Sequence, residues 1–269
     1  MTTSKIFNGY WQGYQPGGND LGITPDYVNK ATLFVAGPSP DGTSLDIGYL
    51  TSKYTAEQQI AWAQQLQKTG VEVLMCVMDT PSTHWNDVDI PSFVQNFKDV
   101  AIDGDWGLNG VDIDLESGMP SEDYNDTFIS LIQEFRKVLG PIGTTNASGQ
   151  CISRMSVAAY EPELEGPVLE VVGSDLDWLN TMAYGADAAG TEALAAEYFK
   201  YVSQVNMGIG VVYQGGQSTD ITDVEAMARY AAQNTNYGMM QFPLNNDCPA
   251  ISGQPQWTWA SAINSNLNG

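Results

Sequence analysis

The sequence predicts an α/β fold, a closed (β/α)8 TIM barrel filling residues 1–269 as a single domain, and three observations predict it. Eight apolar, strand-like runs recur along the chain, at 6–11, 32–36, 71–78, 109–116, 152–160, 176–184, 207–213 and 237–242. Helical patterns with capping signals lie between them, and strands alternating with helices make a parallel sheet. The length of 269 residues suits one such barrel, and no linker, repeat or low-complexity stretch divides it. An open, doubly wound sheet is the rival. It announces itself with a glycine-rich phosphate loop after the first strand, and Gly9-Tyr10-Trp11-Gln12-Gly13 is not one.

The elements follow in order. The first run carries Tyr10 and Trp11 at its end, and the stretches Gly17-Gly18-Asn19-Asp20 and 37–42 read as loops at the barrel ends. Thr55-Ala56-Glu57-Gln58 fits a capping box, in which side chains satisfy the exposed N–H groups of a helix's first turn. The third run holds Cys76 among apolar residues, where it reads as packing. After the fourth run, Ser121-Glu122-Asp123 puts acid at the positive end of a helix, Arg136-Lys137 puts base at the other, and Gly140-Pro141 stops it. Phe128, Leu131, Ile132, Phe135 and Leu139 give that helix an apolar stripe for the sheet. A helical pattern returns at 191–205, and Thr222-Asp223-Val224-Glu225 fits a second capping box.

The fourth run, Asn109-Gly110-Val111-Asp112-Ile113-Asp114-Leu115-Glu116, concentrates the chemistry. Acidic and branched apolar residues alternate, so Asp112, Asp114 and Glu116 share one face and Val111, Ile113 and Leu115 the other. Neighbouring carboxylates stand roughly 6–7 Å apart at the Cα level. Buried together, they cannot all ionise, so at least one holds a proton near neutrality. A protonated acid beside an ionised one is what glycosidic bond cleavage requires. Two plainer readings compete: a solvated edge strand, and a site for Mg²⁺ or Ca²⁺. Parallel sheets are covered on both faces, which opposes the first, and no EF-hand-like loop spacing supports the second. Sites in such barrels collect at the C-terminal ends of strands, which makes Glu116 outermost, Asp114 one layer down and Asp112 deeper.

Composition excludes several functions. Ten basic residues against thirty-two acidic give a net charge of −22, which argues against nucleic acid and anionic membranes as partners. His84 is the only histidine, so a multi-histidine zinc site is impossible; the barrel enzyme read from this sequence is expected to work without metal or organic cofactor. His84 lies in a Thr-His-Trp loop and reads as a rim residue. Cys76, Cys151 and Cys248 are odd in number and far apart, so no disulfide framework is implied. No apolar run approaches membrane-spanning length, and Met1-Thr2-Thr3-Ser4-Lys5 lacks a leader's apolar segment, as though a leader had been removed or had never existed. Few lysines, many amide and hydroxyl residues, and the triplets Asn125-Asp126-Thr127 and Asn146-Ala147-Ser148 lean towards a secreted protein; a monomer is expected.

The 109–116 stretch resembles the DGxDxDxE motif of glycoside hydrolase family 18, the chitinases and related endo-β-N-acetylglucosaminidases. Asn180-Thr181-Met182-Ala183-Tyr184 is similar to the family's Met-x-Tyr on the sixth strand, and Asp177 matches as well. The stretch Gly208-Ile209-Gly210-Val211-Val212-Tyr213 resembles the seventh strand more loosely. The resemblance implies that Glu116 protonates the departing sugar oxygen. The substrate's own acetamide then attacks its anomeric carbon, an exception to the two-carboxylate scheme. It further implies that an ionised Asp114 orients the acetamide N–H and raises Glu116's pKa. Tyr184 donates to the acetamide oxygen, and Asp112 shares a proton with Asp114. Met182, Tyr213, Phe242, Tyr10 and Trp11 are the expected sugar contacts; Trp85, Trp257 and Trp259 lie in segments able to reach the sugar, whereas Trp62 and Trp178 read as core.

The chain departs from the family pattern at four places. Asn109 replaces the first Asp, the third strand lacks Ser-x-Gly-Gly, Gly185 stands where chitinases often have Asp, and Phe242 stands where a tryptophan floor is usual. The last two drift towards enzymes that cut the chitobiose core of N-glycans. The short span from Tyr213 to Tyr237 leaves no room for the chitinase insertion lobe, so an open groove and endo-type cutting are implied. Chitin or its oligomers is the first substrate expected, the N-glycan core the second. A sugar-binding lectin without catalysis is an alternative of another class.

Overall fold

The computed structural model describes residues 5–80, 82–116 and 122–269, and within them all eight runs become strands of a closed parallel barrel. The strands are β1 (Phe7–Gln12), β2 (Lys30–Pro38), β3 (Leu45–Asp46), β4 (Glu72–Val77), β5 (Gly110–Asp114), β6 (Arg154–Ala159), β7 (Trp178–Thr181), β8 (Val205–Gly210) and β9 (Tyr237–Phe242). Around the barrel they run β1-β9-β8-β7-β6-β5-β4-β2, and β1 pairs with β2 to close the ring. Strand β3 stands outside this repeat. The segment 37–42, expected as a plain loop, stays extended through Pro38 and folds back, with Gly37 opposite Asp46 and Pro38 opposite Leu45.

The helices are α1 (Ala56–Lys68), α2 (Ile90–Phe97), α3 (Glu122–Leu139), α4 (Pro162–Val172), α5 (Ala188–Tyr198), α6 (Ile221–Gln233), α7 (Pro249–Ser252) and α8 (Thr258–Leu267). The Thr55 capping box forms as expected: Gln58 N–H donates to Thr55 Oγ1 at 3.3 Å and Thr55 N–H to Gln58 Oε1 at 3.0 Å. The second box does not. Asp220 caps α6 instead, accepting from Thr222 N–H at 2.8 Å, because a carboxylate at the positive helix end is the stronger acceptor. Helix α5 begins and ends earlier than 191–205, since Asp187 accepts from Gly190 N–H at 2.8 Å and sets its start. Ser121, the expected start of α3, lies outside the described residues, as do residues 1–4.

The barrel wall separates two interiors. Outside it, Val111, Ile113 and Leu115 pack with Phe128, Leu131 and Phe135 of α3 in the large apolar core between sheet and helices. Inside it, polar side chains take the place of the usual branched aliphatics. Thr32 donates to Asn8 at 3.0 Å, and Asn206 donates to Asn180 at 3.0 Å. Asn109 braces the wall from below: its Oδ1 accepts from Val73 N–H at 2.8 Å and its Nδ2 donates to Cys151 O at 2.8 Å. An ionic lock closes the N-terminal ends of the strands. Arg154 binds Glu72 at 2.9 and 3.0 Å and Asp177 at 2.8 Å, and Lys30 adds to Glu72 at 2.9 Å. Asp177 therefore works at the rim opposite the acidic cleft. Among the described residues, no helix is long and apolar enough to cross a membrane.

Candidate active site

The C-terminal ends of the strands surround a cleft of 670 Å³, and Asp114 and Glu116 open into it. Strand β5 ends at Asp114, so Glu116 is not the last strand residue expected from the sequence. It stands two residues beyond, exposed at the cleft wall, with its own N–H donating to Asp114 Oδ1 at 3.1 Å. Alternation puts Asp112, fully buried, one layer below Asp114.

Asp112 sits in a cradle of neutral donors. Tyr10 donates its hydroxyl at 2.8 Å, Ser156 at 2.5 Å, and Asn180 Nδ2 at 3.4 Å, while the Cys76 thiol on the neighbouring strand lies against it. Asn180 Nδ2 also donates to the Tyr10 oxygen at 2.9 Å, which ties strands β1, β5 and β7 together. Burial raises Asp112's pKa, and these donors pull it back. Among the described residues, Asp114 has only the Glu116 N–H to offset its burial, and its pKa rises well above the ordinary aspartate range. Burial is the main cause, with the charges of Glu116 and Asp112 adding to it. Glu116 is also raised, by its partial burial. The sequence reading made Asp114 the charge that keeps Glu116 protonated. In the structure both carboxyls are raised together, Asp114 enclosed in the barrel and Glu116 at the cleft wall, so the pair resists double ionisation.

Tyr184 stands beyond the end of β7 on the same cleft, with Asp114 and Glu116 close enough for their charges to act on it. Burial first, then those two charges, hold its phenol protonated far above neutrality, leaving it a hydrogen-bond donor. Its ring stacks on Phe242 at 5.3 Å and 15° and meets Tyr213 at 5.3 Å. Gly185 makes that last contact possible: its φ is +80°, and a Cβ there would stand 2.4 Å from the Tyr213 hydroxyl. Met182 and Phe34 complete the apolar floor, Phe34 lying edge-on to Phe242 at 5.3 Å.

Of the nine residues singled out from the sequence, the structure brings seven to the cleft lining: Asp114, Glu116, Tyr184, Met182, Tyr213, Phe242 and Tyr10. Asp112 lies beneath them, and Trp11 is a correction. Alternation along β1 turns Tyr10 inward and Trp11 outward, where it packs in the outer core against Tyr54 and Trp62 and donates to Asn19 O at 2.8 Å. Trp85 is likewise buried, against Phe93, and Trp259 donates to Thr219 O away from the cleft. Among the described residues no tryptophan lines the cleft. His84 is exposed and pairs with the buried Asp79 at 3.1 Å.

Several cleft residues escaped the sequence reading. Cys76, read as packing alone, also touches Asp112. Ser156 and Asn180 could have been found, because each is a polar residue on the inward phase of an apolar strand. Gln12, Tyr14, Tyr160, Gln214, Gln217 and Asn246 come from loops and strand ends with no periodic signal. Tyr160 is anchored from behind by the buried Glu165, which accepts from the N–H groups of Tyr160 and Glu161 at 3.0 Å and from Tyr198 at 2.5 Å. Among the described residues, no group of three His, Cys, Asp or Glu could hold a metal ion.

Comparison with known proteins places this geometry. The family model of the endo-β-N-acetylglucosaminidase EndoS TIM-barrel domain matches residues 14–242. No curated protein sequence matches. Among solved structures, a GH18 chitinase from Pseudoalteromonas aurantia is 20% identical, with 97% of this chain and 100% of that one covered at a TM-score of 0.73. A fungal endo-β-N-acetylglucosaminidase of glycosyl hydrolase family 18 is 15% identical over 97% and 98% of the two chains, with a TM-score of 0.72. The xylanase and α-amylase inhibitor protein XAIP-II from Scadoxus multiflorus is 17% identical over 98% and 99%, with a TM-score of 0.68. At these identities the structures share the fold alone, and the fold serves inhibitors as well as hydrolases. The family model covers most of the chain, acids and tyrosine included: the chain belongs to the family of the endo-β-N-acetylglucosaminidase EndoS TIM-barrel domain, a glycosidase barrel of the glycoside hydrolase 18 type.

Proposed function

We propose that this protein is a retaining, substrate-assisted endo-hydrolase of the β-1,4 bond between two N-acetylglucosamine units, with the chitobiose core of N-linked glycans as its substrate. One observation carries the proposal: a stacked row of carboxyls, Asp112, Asp114 and Glu116, whose outermost member faces a protonated Tyr184 across one open cleft.

The chemistry follows from the positions. Glu116, exposed and raised in pKa, reaches the glycosidic oxygen and gives it a proton as the bond breaks. The acetamide oxygen of the adjoining sugar attacks its own anomeric carbon, and the ring closes to an oxazolinium-type intermediate. The nucleophile is held by the substrate, which supplies the effective molarity. Asp114 accepts from the acetamide N–H and Tyr184 donates to its oxygen, so the two fix the attacking group from both sides. Asp112 shares a proton with Asp114 and stays tied to β1, β6 and β7 by Tyr10, Ser156 and Asn180. Water then opens the intermediate with Glu116 as base, and the anomeric configuration is retained.

Two features favour the N-glycan core over chitin and reverse the order expected from the sequence. The family model that matches is an endo-β-N-acetylglucosaminidase barrel. The cleft floor, moreover, carries Phe242, stacked on Tyr184, where the chitinases that this chain resembles usually have a tryptophan. Mass spectrometry of products from N-acetylchitohexaose and from an N-glycosylated protein, run side by side, tests the reading. Glycan released with one N-acetylglucosamine left on the protein is expected. Products from the chitooligosaccharide alone would overturn the choice of substrate, and no product from either would overturn the hydrolase.

A further inference from the structure

The cleft's aromatic floor does not stop at its edge. From Tyr184 the rings continue through Phe242 and Phe34, at 5.3 Å each, to Tyr14 at 6.4 Å and then to Tyr49 at 4.4 Å. Tyr49 is 59% exposed, an unusual place for a ring of that size, and its plane lies 29° from that of Tyr14.

The chain goes to some length to put it there. Strand β3, outside the eightfold repeat, folds the backbone back against the end of β2, and Asn96 Oδ1 of α2 holds it by accepting from Leu45 N–H at 2.9 Å. A tight turn follows: Asp46 Oδ1 accepts from Gly48 N–H at 2.7 Å and Ile47 O from Thr51 N–H at 2.9 Å. Leu50 is buried beneath it, with its carbonyl so near Gly13 that a Cβ there would stand 2.1 Å away. The glycine before Tyr14 thus lets the Tyr49 segment lie directly against the end of β1. Gln12 Nε2 donates to the Tyr14 hydroxyl at 2.5 Å and fixes the inner ring of the pair. One face of Tyr49 rests on Tyr14, and the ring is otherwise largely open to solvent.

We propose that Tyr49, supported by Tyr14, is an outlying sugar subsite that stacks on a pyranose ring of the glycan after it has left the catalytic cleft. The apolar face of a pyranose, formed by its axial C–H groups, fits a flat exposed ring, and the preset stack spares the ordering cost of a free side chain. This deepens the glycosidase reading and rests on it.

The test is calorimetric binding to the Glu116→Gln protein, with and without Tyr49→Ala, using N,N′-diacetylchitobiose as the short probe. N-acetylchitohexaose and a free N-glycan with an intact chitobiose core are the extended probes. Tyr49→Ala is expected to weaken the extended glycan that binds by about threefold to tenfold, to leave the short probe unchanged, and to be rescued by Tyr49→Phe. Equal affinity of Tyr49→Ala and its parent for every extended probe overturns the subsite while leaving the hydrolase reading intact. Equal weakening of the short probe overturns it too, by making the effect a distortion of the cleft. No binding of any probe by the parent overturns the glycan reading and the subsite together.

Discussion

Tyr10→Phe removes one oxygen from the centre of the barrel and leaves the ring that lines the cleft in place. That oxygen does two things: it donates to Asp112 at 2.8 Å and accepts from Asn180 at 2.9 Å. Its loss strips a fully buried carboxyl of one donor, and hydrogen bonds to charged groups contribute about 1.5–3 kcal/mol. The pH dependence has a definite sign. Burial already holds Asp112 above its ordinary value of 3.8, and losing a donor raises it further, so keeping it ionised in the fold becomes costlier. The deficit is complete above the folded pKa values of both proteins and fades as pH falls through them, so that by 3.8, below both, the folded carboxyl is largely protonated with or without the Tyr10 hydroxyl. There only a neutral hydrogen bond is missing, worth about 0.5–1.5 kcal/mol. Urea unfolding of both proteins near neutrality and at acid pH gives the two differences. A loss that is absent, or is the same at both pH values, would refute the picture of Asp112 as an ion sustained by its cradle.

Two further outcomes follow from the same geometry. Asp114→Asn should abolish most turnover yet stabilise the protein near neutrality by about 0.5–2 kcal/mol, as happens when an active-site charge is removed from a buried position. The gain must shrink as pH falls towards the ordinary aspartate value, because raised carboxyls cost stability only where the unfolded chain would ionise, and thermal melts across pH check it. Gly185→Ala puts a side chain on a backbone at φ +80° and against the Tyr213 hydroxyl, so a stability loss of about 1–3 kcal/mol and a raised KM are expected from melts and steady-state kinetics.

Period-two alternation made the fold and the acidic row legible in the sequence. It assigns Val111, Ile113 and Leu115 to one side of the wall and the three acids to the other. The same rule, applied to β1, would have turned Trp11 away from the cleft once Tyr10 was turned towards it. Phase along the strand, not aromatic character, sets the face that Trp11 occupies. Polar residues at Ser156 and Asn180 were legible in principle by the same alternation. The remainder was not legible. Tyr14, Tyr49 and Tyr160 reach the cleft or its mouth through loops and the added hairpin at β3, where no periodicity constrains direction. Proton affinity was hidden for another reason: alternation orders the carboxyls along the strand, but their enclosure in the fold is what raises their pKa values.

The central claim is that the outermost carboxyl of a buried row donates the proton that breaks a sugar–sugar bond. Single-turnover rates of Glu116→Gln against the parent protein, measured with affinity for the same glycan, test it most directly. The amide keeps the shape and loses the proton, so turnover should fall about 10²–10⁴-fold with affinity within a few-fold of the parent. Equal rates for the two proteins would contradict the account.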